Sequence, residues 1–280
     1  MPTFDTPDPI TATVELPIGE LRVIASDRPD TEVEVRSTPA DRDVADGVRV
    51  EFDGGELRVT GPRLGLRKLL VPTPGRSLEV EIALPAGSAL TATTIYGGIE
   101  ARGRLGACRA RCRYGDVRVE DAATADLAAT YGQVRVSGTV TGDAALGADH
   151  GGVRVHRVGG AADLRTRHGA IRADEIGGPA RLTGAHGDVE VDVAEDDVHA
   201  RTSHGAVRLG RVARGEVSMT STSGRLEVGV APDSAAWLEL ASTTGRVSNA
   251  LTPRDDPGGF AETVAITAHS RDGDIVVRRS

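Results

Sequence analysis

The chain has 280 residues, a net charge of −8 and a sequence pI near 5.4; 39% of it is apolar but only 2% is aromatic. An acidic balance of this kind argues against a nucleic-acid or anionic-membrane surface, because phosphate binding depends on a positive excess. The apolar residues are mainly Val, Ala, Leu and Ile, which favours thin stacked strands over a bulky globular core.

The opening "MPTFDTPDPITATVEL" has neither a positive start nor an apolar run of leader length, and no stretch approaches the roughly 20 apolar residues of a membrane span. The expectation is a cytoplasmic protein without a transmembrane segment. Basic charge is nearly all arginine, with Lys68 the single lysine, which reads as a GC-rich bacterial genome.

Within the first 90 residues, "GELRVIA" at Gly19 and "GELRVTG" at Gly55 each place apolar residues two and four positions after a glycine. They read as early, irregular β coils, interrupted by inserts at 38–46 and 61–77. The second insert sets Arg63, Arg67 and Lys68 among Leu66, Leu69 and Leu70. It reads either as a cap over the N-terminal edge or as a docking loop for a partner or a membrane surface.

From residue 91 the pattern is regular. Taking Gly97, Gly115, Gly132, Gly151, Gly169, Gly187, Gly205, Gly224, Gly245 and Gly273 as position zero, the second residue on is apolar every time, as in Val153, Ile171, Val189 and Val207. The fourth is nearly always apolar, and charged residues such as Arg154 and Arg172 fall between. This is the period-two alternation of a half-buried strand. A second strand precedes each glycine, with inward columns at minus seven (Ala144, Ala162, Ala180) and minus five (Leu146, Leu164, Leu182). The column at minus three is small, which leaves room for a ring nearby.

A unit this short buries its apolar edge only by stacking, coil on coil. The predicted fold is therefore all-β, a single-chain parallel β-solenoid of about 18 residues per coil and about ten regular coils. Residues 1–90 form the irregular cap, and 91–280 form the regular solenoid with an insert near 250–260. Cys108 and Cys112 lie four apart in one strand, about 13 Å between Cα atoms at 3.3 Å per residue, so they are expected as two buried, unbridged thiols.

The units "YGDVRVED", "HGDVEVDV" and "SGRLEVGV", the opening "PITATVELPIGELRVIA" and the ending "SRDGDIVVRRS" resemble the DUF4097 family of bacterial β-strand-repeat proteins, often labelled as adhesins. The resemblance covers nearly the whole chain and implies the repeat fold. It carries no shared catalytic motif.

The residue before the corner glycine is Tyr96, Tyr114, Tyr131, His150, His168, His186 and His204 in turn: all three tyrosines of the chain and four of its seven histidines. On stacked coils these are expected to form a structural ladder of flat rings about 4.8 Å apart, on the inward side or at the corner. Zinc needs three or four converging ligands and catalysis a nucleophile with its base, so neither a metal site nor a catalytic site is expected, and no cofactor. The acidic pairs Asp174–Glu175, Asp196–Asp197 and Asp255–Asp256 read as solvated turn charges. The functional expectation is a non-enzymatic, scaffold-like or adhesin-like solenoid that presents repeated side-chain rows to an unidentified protein partner, without nucleic acid. Self-association by end-to-end polymerisation is the alternative, and a carbohydrate-acting β-helix enzyme is a more distant one.

Overall fold

A computed structural model describes residues 2–37, 45–62, 78–252 and 260–280. The fold is an all-β parallel solenoid with coils of about 18 residues, and contacts group it into two compact units, 1–138 and 139–280.

In the second unit each coil is a leading strand, a glycine corner and a trailing strand. The leading strands Ala144–His150, Ala162–His168, Ala180–His186, Val198–His204 and Gly215–Ser223 pair in parallel and in register, Leu164 with Leu182 and His168 with His186. The trailing strands Val153–Val158, Ile171–Ile176, Val189–Ala194, Val207–Val212 and Leu226–Val230 do likewise. Period-two patterning turns Ala162, Leu164 and Thr166 inward on one side and Ile171 and Ala173 on the other. The trailing strand then adds a third buried column that the alternation does not show: Val158, Ile176, Ala194 and Val212, seven residues after the glycine. Two successive outward residues, such as Arg157 after His156, shift the parity and bend the strand around the core.

The corner requires glycine. Gly187 has φ +140°, and a Cβ built there would lie 2.1 Å from the carbonyl oxygen of Gly169 in the adjacent coil.

Stacking departs from chain order at both termini. Gly215–Ser223 pairs with Glu262–Asp272, and Leu226–Val230 with Ile275–Arg279, so the last coil of the sequence lies directly on the Gly224 coil. Ser234–Ser242 and Val247–Asn249 pair on its far side and form the outermost coil. In the first unit, Thr11–Ile18 pairs with both Glu56–Thr60 and Ala89–Tyr96, and Glu20–Ser26 with both Leu78–Pro85 and Ile99–Tyr114. The first coil is thus held between two later ones. Since every coil offers the same apolar columns, the repeat pattern alone cannot distinguish these orders.

Gly55 is not a solenoid corner. Gly54 (φ +54°) and Gly55 (φ +82°) form the two-residue turn of an antiparallel hairpin, Arg49–Asp53 with Glu56–Thr60. The antiparallel neighbours Asp30–Ser37 on Leu78–Pro85, and Thr3–Asp5 on Asp30–Ser37, finish this side, with Phe4 stacked on Phe52 at 4.9 Å.

Val189 and Val207 face inward on adjacent coils at 1% and 0% exposure. Replacing either with Asp places a charge without a partner in the core and should cost several kcal/mol in urea unfolding. A loss under about 0.5 kcal/mol, the range of surface changes, would contradict the inward register.

Candidate functional site

The ring positions form two files. In the first unit, Tyr96–Tyr114 and Tyr114–Tyr131 stack with centroids 4.9 and 5.1 Å apart and planes within 7° and 4°. In the second, His150, His168, His186 and His204 stack with 5.0 Å between each successive pair and planes 10°, 5° and 4° apart. The backbone fixes this spacing: the Gly169 N–H donates to the His186 carbonyl (2.9 Å) and the Gly187 N–H to that of His204 (2.8 Å).

The four imidazoles are exposed, as is Tyr131 at 46%, so of the two settings the sequence left open, inward or at the corner, the structure has the corner. The chain has begun its turn at this position, so the side chain projects off the corner instead of into the core. Parallel rings also carry parallel in-plane nitrogen lone pairs, which run alongside one another and do not converge on a point. Among the described residues no three His, Cys, Asp or Glu side chains gather in a way that would hold a metal ion.

Behind the rings lies a row of polar caps. Because the corner N–H and the second N–H after it serve the inter-coil ladder, the glycine carbonyl needs another donor. Where the small column at minus three holds threonine, serine or cysteine, it supplies one. Thr166 Oγ1 donates to the Gly151 carbonyl (3.0 Å), Ser221 Oγ to Gly205 (3.2 Å) and Ser270 Oγ to Gly224 (3.3 Å), with Cys112 Sγ doing the same for Gly97 (3.2 Å). This column therefore does more than leave room for a ring.

Acidic side chains cap the amides that the turns leave over. Asp116 Oδ1 accepts from the Gln133 N–H, Asp188 Oδ1 from Ala206 and Asp274 Oδ1 from Arg246, each at 2.8 Å. At the other turn Asp197 Oδ1 accepts from Glu216 (2.8 Å) and Asp143 Oδ1 from Ala161 (2.9 Å). Asp174 pairs with His156 (2.7 Å) and Glu175 with Arg157 (3.0 Å). These acids are engaged with neighbouring coils, where the sequence suggested only solvated charge. Asp255, Asp256 and the docking-loop residues Arg63, Leu66, Arg67, Lys68, Leu69 and Leu70 lie outside the described residues.

On the outer face of the trailing strands Glu190 bridges Arg172 (3.6 Å) and Arg208 (2.8 Å) across three coils. All three are solvent-exposed to a third or more, so these pairs add little stability. Cys108 and Cys112 are free and buried on one strand; burial pushes the Cys108 thiol up to about 12 and raises that of Cys112 as well. No helix among the described residues is long and apolar enough to cross a membrane.

A corner glycine, inward columns on either side and ladder-paired equivalents from coil to coil are the repeat of a known family, whose model, Toastrack DUF4097, matches residues 19–201. The chain belongs to the Toastrack DUF4097 family. Among solved structures it is similar to a proposed lipid-binding protein from Parabacteroides distasonis (10% identity, 98% of this chain and 95% of that one, TM-score 0.47). It is also similar to proposed adhesins from Bacteroides fragilis (9%, 99% and 95%, TM-score 0.39) and Parabacteroides merdae (10%, 98% and 94%, TM-score 0.36). No curated protein matches it.

Two expectations follow for this Toastrack chain. Thr166→Val keeps the shape but leaves the Gly151 carbonyl without its cap, which should cost about 1–3 kcal/mol in denaturant unfolding; an unchanged midpoint would contradict the capping role. The thiols should react with a maleimide or disulfide reagent only on unfolding, since only the thiolate attacks and burial opposes its formation. Rapid labelling of Cys108 in the native protein would contradict its place in the core.

Proposed function

We propose that this chain is a non-enzymatic interaction protein, a β-solenoid that presents exposed rows of repeated side chains to a protein partner. The observation that carries the reading is the exposure of the histidine file. A row that served only to pack the core would be buried, whereas these rings are held at 5.0 Å intervals on a rigid backbone and face solvent. A surface ordered before its partner arrives loses little entropy on binding. Catalysis asks for a nucleophile, a base and an orienting acid brought to one place, and the repeat instead spreads like residues along a line. The reading needs no cofactor, and the net charge of −8 favours a protein partner over nucleic acid. On the same reading residues 1–90 close one edge of the solenoid and 91–280 carry the rows. Two unbridged cysteines fit a reducing, cytoplasmic setting.

A photo-crosslinking side chain at position 186 in cells tests the reading, with position 208 on the trailing face as the control. Discrete protein adducts from 186 and none from 208 are the expected outcome. Equal patterns, or no adduct at either position, would contradict a partner that reads the ring file.

A further inference from the structure

The outermost strands of the two units are finished differently. In the first unit the outermost leading strand, Glu56–Thr60, is covered by Arg49–Asp53, a short strand whose exposed positions are Arg49, Glu51 and Asp53. Leu57 and Val59 behind it are fully buried. Charged, short edge strands of this kind resist further pairing.

In the second unit the outermost leading strand is Ser234–Ser242, nine residues long, which pairs with Glu262–Asp272 and with no other described strand. Leu238 and Leu240 are half-buried, while Ile266 and Ala268 beneath them are fully buried. Val247 is 42% exposed above a fully buried Ile275, and Trp237, the single tryptophan, is 80% exposed. This edge is the solenoid core in cross-section, the composition of a permanent interface.

We propose that Ser234–Ser242 is the interface of a closed two-fold dimer, with a second copy of this chain as its occupant. The apolar columns left open are the ones each coil buries on the next, so another copy of the same edge meets them in kind. The strand is also self-complementary. The Thr243 N–H donates to the Ser270 carbonyl (3.2 Å), and the alternation along the strand therefore turns the N–H and C=O groups of Ala236, Leu238 and Leu240 to the open edge. A two-fold axis through Leu238 pairs Ala236 with Leu240 of the second copy and keeps inward residues inward. The only charge in the strand, Glu239, then faces Trp237 of the second copy and no like charge. Head-to-tail growth would require the covered edge of the first unit, so association closes at two copies.

Sedimentation of the full chain over a range of micromolar concentrations tests this. The expected species has twice the 29.1 kDa chain mass. Trp237 is exposed, so its replacement spares the fold. Trp237→Glu sets Glu against Glu at two symmetric places and should weaken the dimer by about tenfold, whereas Trp237→Lys faces Glu239 and should keep it. Adding Glu239→Lys to Trp237→Glu should restore the dimer. A wild-type monomer at every concentration, open-ended growth, or equal loss in the Glu and Lys variants would overturn the proposal; loss of the ring-file adducts would leave it standing.

Discussion

At most solenoid corners the carbonyl oxygen of one glycine occupies the place where a Cβ of the glycine in the adjacent coil would have to be. At Gly97, Gly169, Gly187 and Gly205 that separation is 2.1 Å, which no side chain accommodates. The contact exists because the coils approach at the spacing of a parallel ladder while the chain turns through a positive φ, and only glycine meets both conditions. Much else follows from it. The corner amide ties each glycine to the residue before the glycine of the neighbouring coil, so equivalent residues lie over one another and like side chains form rows. The carbonyl left over calls for a donor, and in the coils that carry threonine, serine or cysteine at minus three that side chain supplies it.

The regular part of the fold was legible in the sequence because two periodicities coincide, two within a strand and about 18 between coils. Leu164, Leu182, Val189 and Val207 could be placed inward from spacing alone. The column at Val158, Ile176 and Val212 was not legible, since the bend before it breaks the alternation that identifies inward residues. The order of the terminal coils was equally hidden: Ile266 and Leu238 suit the same column, and nothing local says which of them lies on Val217. Gly55 carries the corner pattern yet forms a hairpin turn because Gly54 precedes it, a signal present in the sequence but outweighed by the repeat.

For the candidate site, the stacking of like rings could be read from register, but their exposure could not. Parity is a property of an extended strand and fails at the residue where the strand turns. The capping roles of Asp188 and Asp197 were likewise hidden, because their partners, Ala206 and Glu216, are backbone amides one coil away. A backbone donor has no residue signature.

Rows of identical side chains suit recognition more than chemistry, since a repeat sets like beside like and an active site needs unlike groups together. One repeat is one coil, in register from glycine to glycine. Nuclear Overhauser contacts between ring protons of the histidines measure this most directly. Contacts are expected for His150–His168, His168–His186 and His186–His204 and none for His150–His186. Absence of the three sequential contacts, or contacts that skip a ring, would contradict this register.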